Sequence, residues 1–177
     1  MPTLDRTNST LVVVDAQGRL MPAIDGGPAV IANIRRLLSA AALLDIAVLF
    51  TEQNPKGLGP TLPDLTPDPA RVVEKMSFSA VPAPGFLDQL PDGHAVVLTG
   101  CETHVCVLQT ALGLIDLGRK VHVVADAVGS RTQPNKDSGL ARMAGHGVEI
   151  ITTEMAVFEW LSTAAHPRFR DVAALIK

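Results

Sequence analysis

The chain has 177 residues, 47% of them apolar, a formal charge of −3 and two cysteines. That length allows one domain, residues 1–177, with a core burying about 70% of the unfolded surface. The acidic balance and lack of basic clusters argue against nucleic acid and anionic membranes as partners, and no apolar run reaches the roughly 18 residues of a membrane span.

The N-terminal stretch MPTLDRTNST lacks the charged-then-apolar pattern of a signal peptide. Cys101 and Cys106 make neither a disulfide framework nor a zinc motif. A cytoplasmic, reduced protein is therefore expected.

In chain order, residues 10–14 (TLVVV) form a continuous β-branched run, as in a parallel strand covered on both faces. It ends in Asp15-Ala-Gln17-Gly18, and with no G-x-G-x-x-G this is not a dinucleotide loop. A carboxylate thus stands at the carboxyl end of a strand, where open α/β sheets place ligands. Pro28 opens a helix carrying Val30, Ile31, Ile34, Leu37, Leu38 and Leu44 at helical spacing, with Asn33 and Arg36 on its wetter side. Residues 46–51 (IAVLFT) read as a second strand ending in Glu52-Gln53. Residues 54–70 are rich in Pro and Gly, which suits a loop overhanging a site, a plain surface loop or an oligomer contact.

Residues 71–74 read as a short strand before Lys75, and residues 85–90 as a short helix. Residues 95–98 (AVVL) are a buried strand, followed by a turn at Gly100 and a helix beginning near Val105. Strands at 121–125 and 148–151 and helices at 135–144, 155–161 and 167–176 complete the chain. Alternating strand and helix specifies an α/β fold: a three-layer α/β/α sandwich around a mostly parallel, doubly wound sheet.

Asp15, Lys75 and Cys106 each follow a different strand, so a parallel sheet could gather them in one crevice. A carboxylate can accept the thiol proton, a lysine can hold the anionic forms, and a thiolate can attack a carbonyl. Backbone N–H groups in the turn before the helix could receive the oxyanion. Cys106 is expected in the first turn of its helix, where the dipole favours a thiolate. Lowering a thiol from about 8.5 to about 7 needs roughly 2 kcal/mol, and a helix terminus supplies only about 0.3–1. Other groups must therefore help. Taken singly, Asp15 reads as a turn residue, Lys75 as a solvated charge and Cys106 as a small core hydrophobe.

At these residues the chain resembles the isochorismatase-like cysteine hydrolases, on the motifs Asp15-Ala-Gln17, Lys75 within EKMSFSA (74–80), and TGCETHVCV (99–107). TEQNPKGLGPT (51–61) and HVCVLQTALGLIDLG (104–118) are similar to isochorismatase domain-containing proteins of unassigned substrate. The resemblance implies Asp15 as general acid/base, Lys75 as electrostatic partner and Cys106 as nucleophile. It also implies a cis peptide between Cys101 and Glu102, with the backbone N–H groups of Glu102 and Cys106 receiving the oxyanion.

Nicotinamidases of this superfamily bind a metal through an Asp-x-His pair and a further His. Here that place reads Glu52-Gln53-Asn54-Pro55, so neither a metal nor another cofactor is expected. Isochorismatases that cleave a vinyl ether lack the nucleophilic cysteine. Cys106 therefore favours amide or carbamoyl cleavage in a small molecule, with vinyl ether hydrolysis, or a non-catalytic ligand-binding or scaffold protein, as alternatives. Leu20 and Phe78 are expected as pocket walls, and Gln17, Gln53, His104 and Arg131 as polar contacts to substrate. Relatives of this family suggest a homo-oligomer, a dimer or larger.

Overall fold

The computed structural model describes residues 3–177. Six strands form its sheet: β1 (Ser9–Val14), β2 (Ala47–Gln53), β3 (Val72–Lys75), β4 (Ala95–Cys101), β5 (Val121–Gly129) and β6 (Glu149–Ile151). Their spatial order is β3-β2-β1-β4-β5-β6, and every neighbouring pair is parallel. The β-branched run of β1 is buried on both faces because its side chains alternate between two cores. Leu11 and Val13 enter one, Val12 and Val14 the other.

Helices α1 (Gly27–Leu43), α5 (Thr153–Leu161) and α6 (Phe169–Ala173) cover the first face, with Ile34, Leu37, Val157, Trp160 and Val172 buried beneath them. Helices α3 (Leu108–Asp116) and α4 (Gln133–Gly145) cover the second. The remaining helix, α2 (Pro55–Leu58), is a single turn. The three layers and the winding agree with the sequence expectation. The chain leaves β1 toward β2 on one side, while β4 pairs with β1 on the other, so the crevice for a ligand opens at the carboxyl ends of β1 and β4.

Four local expectations need correction. The segment 85–90 holds only a 3₁₀ turn, Leu87–Gln89: Pro84, Gly85 at φ +79° and Pro91 leave too few helix-competent residues. Ala80, Ala83, Phe86 and Leu90 are nevertheless buried and fill the layer where a helix would lie. The terminal helix is shorter than 167–176. Strand β5 runs on past Asp126 to Gly129 through an irregularity, since Leu98 pairs with Val123 but Gly100 with Val128. Asn33 and Arg36 are half-buried rather than on a wet face: Asn33 Nδ2 donates to the Asp126 carbonyl at 2.7 Å, and Arg36 Nε to that of Leu175 at 3.0 Å.

Candidate active site

Asp15 follows directly on β1 and has no exposed surface. Its backbone is in the left-handed region at φ +47°, which Asp tolerates better than most residues. The Asp15 N–H donates to the Thr51 carbonyl at 3.1 Å, so the turn is tied to the end of β2. The carboxylate then accepts on both oxygens: the Thr51 hydroxyl donates to Oδ1 and Lys75 Nζ to Oδ2, each at 2.7 Å.

Lys75 ends β3, where its side chain is wholly buried. Its ammonium has three protons, and the structure supplies three acceptors: Asp15 Oδ2, the Ser77 carbonyl at 3.2 Å and the Phe78 carbonyl at 3.0 Å. A buried charge so placed is compensated by an ion pair and by carbonyl dipoles. The arrangement also makes Lys75 a fixed part of the site, not a mobile group reaching for substrate.

Cys106 lies beyond β4 at the same rim. Gly100 is what lets β4 and β1 approach there: at φ +100°, a Cβ on it would sit 2.0 Å from the Val14 carbonyl oxygen. The Cys101–Glu102 peptide is cis, in agreement with the expectation. Residues Thr103–Val107 then form one π-type turn leading into α3, so Cys106 is not in the first turn of an ordinary α-helix. Gly139 of α4 permits that turn to pack closely, because a Cβ there would meet His104 Cα at 3.0 Å.

The expected thiolate is not favoured. Cys106 is 6% exposed and belongs to the apolar core of the second face, and burial pushes its thiol up to about 12. The negative charge of Asp15 adds to the rise, whereas the Lys75 ammonium and the Glu102 N–H oppose it. Desolvation outweighs every group that would stabilise the anion. Asp15 and Lys75 are bonded to each other, and Cys106 feels both charges, its thiol raised further by the hydrogen bond to the Asp15 carboxylate.

The isochorismatase domain family model matches residues 9–155. The chain belongs to the isochorismatase family. Isochorismatase domain-containing protein 2 of Rattus norvegicus is 40% identical over 171 residues, spanning 96% of this chain and 81% of the rat protein. A Caenorhabditis elegans structure described as MAR1 ribonuclease is 37% identical, with a TM-score of 0.93, covering 98% of this chain and 92% of its own. The Escherichia coli YcaC gene product, described as an octameric hydrolase of unknown specificity, shares the fold at 22% identity, with a TM-score of 0.87 over 99% of this chain and 88% of its own. Membership of this family supports a hydrolase-type function.

The other residues expected in this isochorismatase-family site divide into two groups. Gln17 is fully buried and its amide is occupied: Nε2 donates to the carbonyls of Gln53 at 3.0 Å and Gly59 at 2.6 Å, and Oε1 accepts the Gln53 N–H at 2.9 Å. The side chain thus pins the segment after β2 to the sheet. Glu52 joins the same strap by accepting the Thr61 N–H at 2.6 Å. Gln53 Nε2 donates to the Met76 carbonyl, and Leu20 packs half-buried against the α1 core.

Phe78 is 52% exposed beside Lys75, next to Met76 at 72%, so it is a projecting apolar side chain. His104 Nδ1 lies 3.0 Å from Ser130 Oγ. Arg131 is tied to Glu102, its Nε and backbone N–H both donating to Oε1, at 3.0 and 3.2 Å. Thr51 was missed, although the end of the second strand is where a partner for Asp15 should be sought. Among the described residues, no helix is long and apolar enough to cross a membrane.

Proposed function

We propose that the chain, residues 1–177 acting as one domain, is a cysteine-dependent hydrolase of a C–N bond in a small-molecule amide or carbamoyl compound. The buried Asp15–Lys75 pair next to the Cys106 sulfur carries this reading, because a carboxylate fixed beside a thiol can accept its proton as the sulfur attacks. Forming a free thiolate from a thiol near 12 at pH 7 would cost about 7 kcal/mol. Deprotonation must therefore accompany attack. As the sulfur–carbon bond forms, the S–H proton passes to Asp15, and negative charge moves to the substrate oxygen.

That oxyanion is received by the backbone N–H groups of Glu102 and Cys106. When the C–N bond breaks, Asp15 returns the proton to the leaving nitrogen, giving an amine or ammonia and a Cys106 thioester. Water adds to the thioester with Asp15 as base, and the acid leaves as the thiol is restored. Lys75 holds the Asp15 carboxylate in place through their 2.7 Å ion pair. Phe78 and Leu20 line the approach, with Gln53 and His104 at its polar edge. The protein works in the cytoplasm as a homo-oligomer, with no cofactor.

The description of the C. elegans protein supplies a second reading, RNA hydrolysis. The net charge of −3 weighs against it, since phosphate backbones are held by clustered Lys and Arg. The test is ammonia release from a panel of amides, ureides and carbamoyl compounds, run beside cleavage of a labelled RNA. Turnover of a panel member that Cys106→Ala abolishes supports the proposal. RNA cleavage unaffected by Cys106→Ala, with no turnover in the panel, overturns it.

A further inference from the structure

Asp15 is gripped from two sides, and the mechanism above accounts for only one of them. Lys75 supplies the charge. Thr51 supplies two further contacts, its carbonyl oxygen accepting the Asp15 N–H and its hydroxyl donating to Oδ1 at 2.7 Å. Thr51 lies opposite Val14 in the sheet register and has no exposed surface. The backbone contact holds a residue at φ +47°. The hydroxyl contact holds the carboxylate itself, whose torsion about Cβ–Cγ is intrinsically broad. With Oδ2 on Lys75 alone, the group could turn until both oxygens faced the ammonium.

A hydroxyl is not what packing alone would select at this place. Valine has the same shape with no polar atom to satisfy, and the preceding β2 residues Leu49 and Phe50 are apolar core. A buried hydroxyl is tolerated because it meets a charged acceptor. Among the described residues, its hydrogen-bond partner is the one carboxylate positioned to take the thiol proton.

We propose that Thr51 is a positioning residue of the hydrolytic site, its hydroxyl fixing the plane of the Asp15 carboxylate so that a free lone pair faces Cys106. The inference rests on Asp15 being the base. The proton leaving sulfur goes to Asp15, Thr51 keeps its own, and no net transfer passes through the hydroxyl. Misdirecting a base by a fraction of an ångström is enough to slow such a step.

The experiment measures alkylation of Cys106 by iodoacetamide at neutral pH, read by peptide mapping so that Cys101 is counted separately. Thr51→Val removes the hydroxyl at constant shape and is expected to slow Cys106 alkylation about tenfold, the lower end for a hydrogen bond to a charged group. Thr51→Ser should stay within about twofold of the parent, and Thr51→Val should add nothing once Asp15→Asn is present. Asp15→Asn slow but Thr51→Val unchanged overturns the role of Thr51 and leaves Asp15 as base. Asp15→Asn as fast as the parent overturns both. A Thr51→Val effect that persists in full on Asp15→Asn marks packing and also overturns the proposal. Should Thr51→Val not fold, Thr51→Ala is compared in the same way.

Discussion

Replacing Lys75 by methionine isolates the energetics of the buried pair. The side chain keeps its length and apolar stem but loses the ammonium, so Asp15 keeps the Thr51 hydroxyl but loses its charged partner, and the Ser77 and Phe78 carbonyls lose their donor. Both members of the pair are fully buried. Removing one partner of such a pair costs about 3–5 kcal/mol, because an uncompensated charge remains. At about 2–4 °C per kcal/mol for a chain of this size, the melting temperature should fall by roughly 6–20 °C.

Urea denaturation of the parent, Lys75→Met, Asp15→Asn and the double variant gives the full cycle. The double variant should be more stable than the sum of the single losses implies, since it buries no lone charge. Strict additivity, or a loss below about 1 kcal/mol in Lys75→Met, is what a solvated surface pair would give and would refute the reasoning.

Two further outcomes follow from local geometry. Gly100→Ala forces a Cβ to within 2.0 Å of the Val14 carbonyl, a backbone collision no rotamer relieves; its loss should exceed about 4 kcal/mol, whereas Gly113→Ala, whose Cβ would meet the movable Val81 side chain at 3.0 Å, should be far milder in the same melts. Cys101 and Cys106 are both raised from 9.0 to about 12, each chiefly by burial. The folded state thus keeps protons that the unfolded chain sheds, and these contributions to stability are intact below pH 9 and fade as pH rises toward 12. Cys101→Ala should flatten the alkaline decline of stability measured by denaturant titration; an unchanged slope would contradict that.

Much of the architecture was legible because strand burial leaves a plain record. The TLVVV run of β1 and the AVVL run of β4 read as buried strands, and their carboxyl ends mark the rim of the sheet. The pairing of Asp15 with Lys75 followed from that topology together with the family resemblance. The thiol environment did not, because whether Cys106 faces apolar core or solvent depends on how the 103–107 turn packs between β4 and helices α3 and α4. The bonding of Gln17 is hidden for a related reason. A glutamine after a strand looks available to a ligand, and only the return of residues 53–59 shows its amide already bonded. Thr51 left no chemical signature of its own, since a threonine is ordinary in a strand and its function depends on a neighbour 36 residues away.

The most direct test of the account is rapid acid quench of the protein during turnover of an amide found active in the panel, followed by mass spectrometry of its peptides. A covalent intermediate on sulfur predicts the acyl mass on the Cys106 peptide, absent from Cys106→Ala and from the Cys101 peptide. Steady turnover with that peptide unmodified, and with Cys106→Ala equally active, would contradict it.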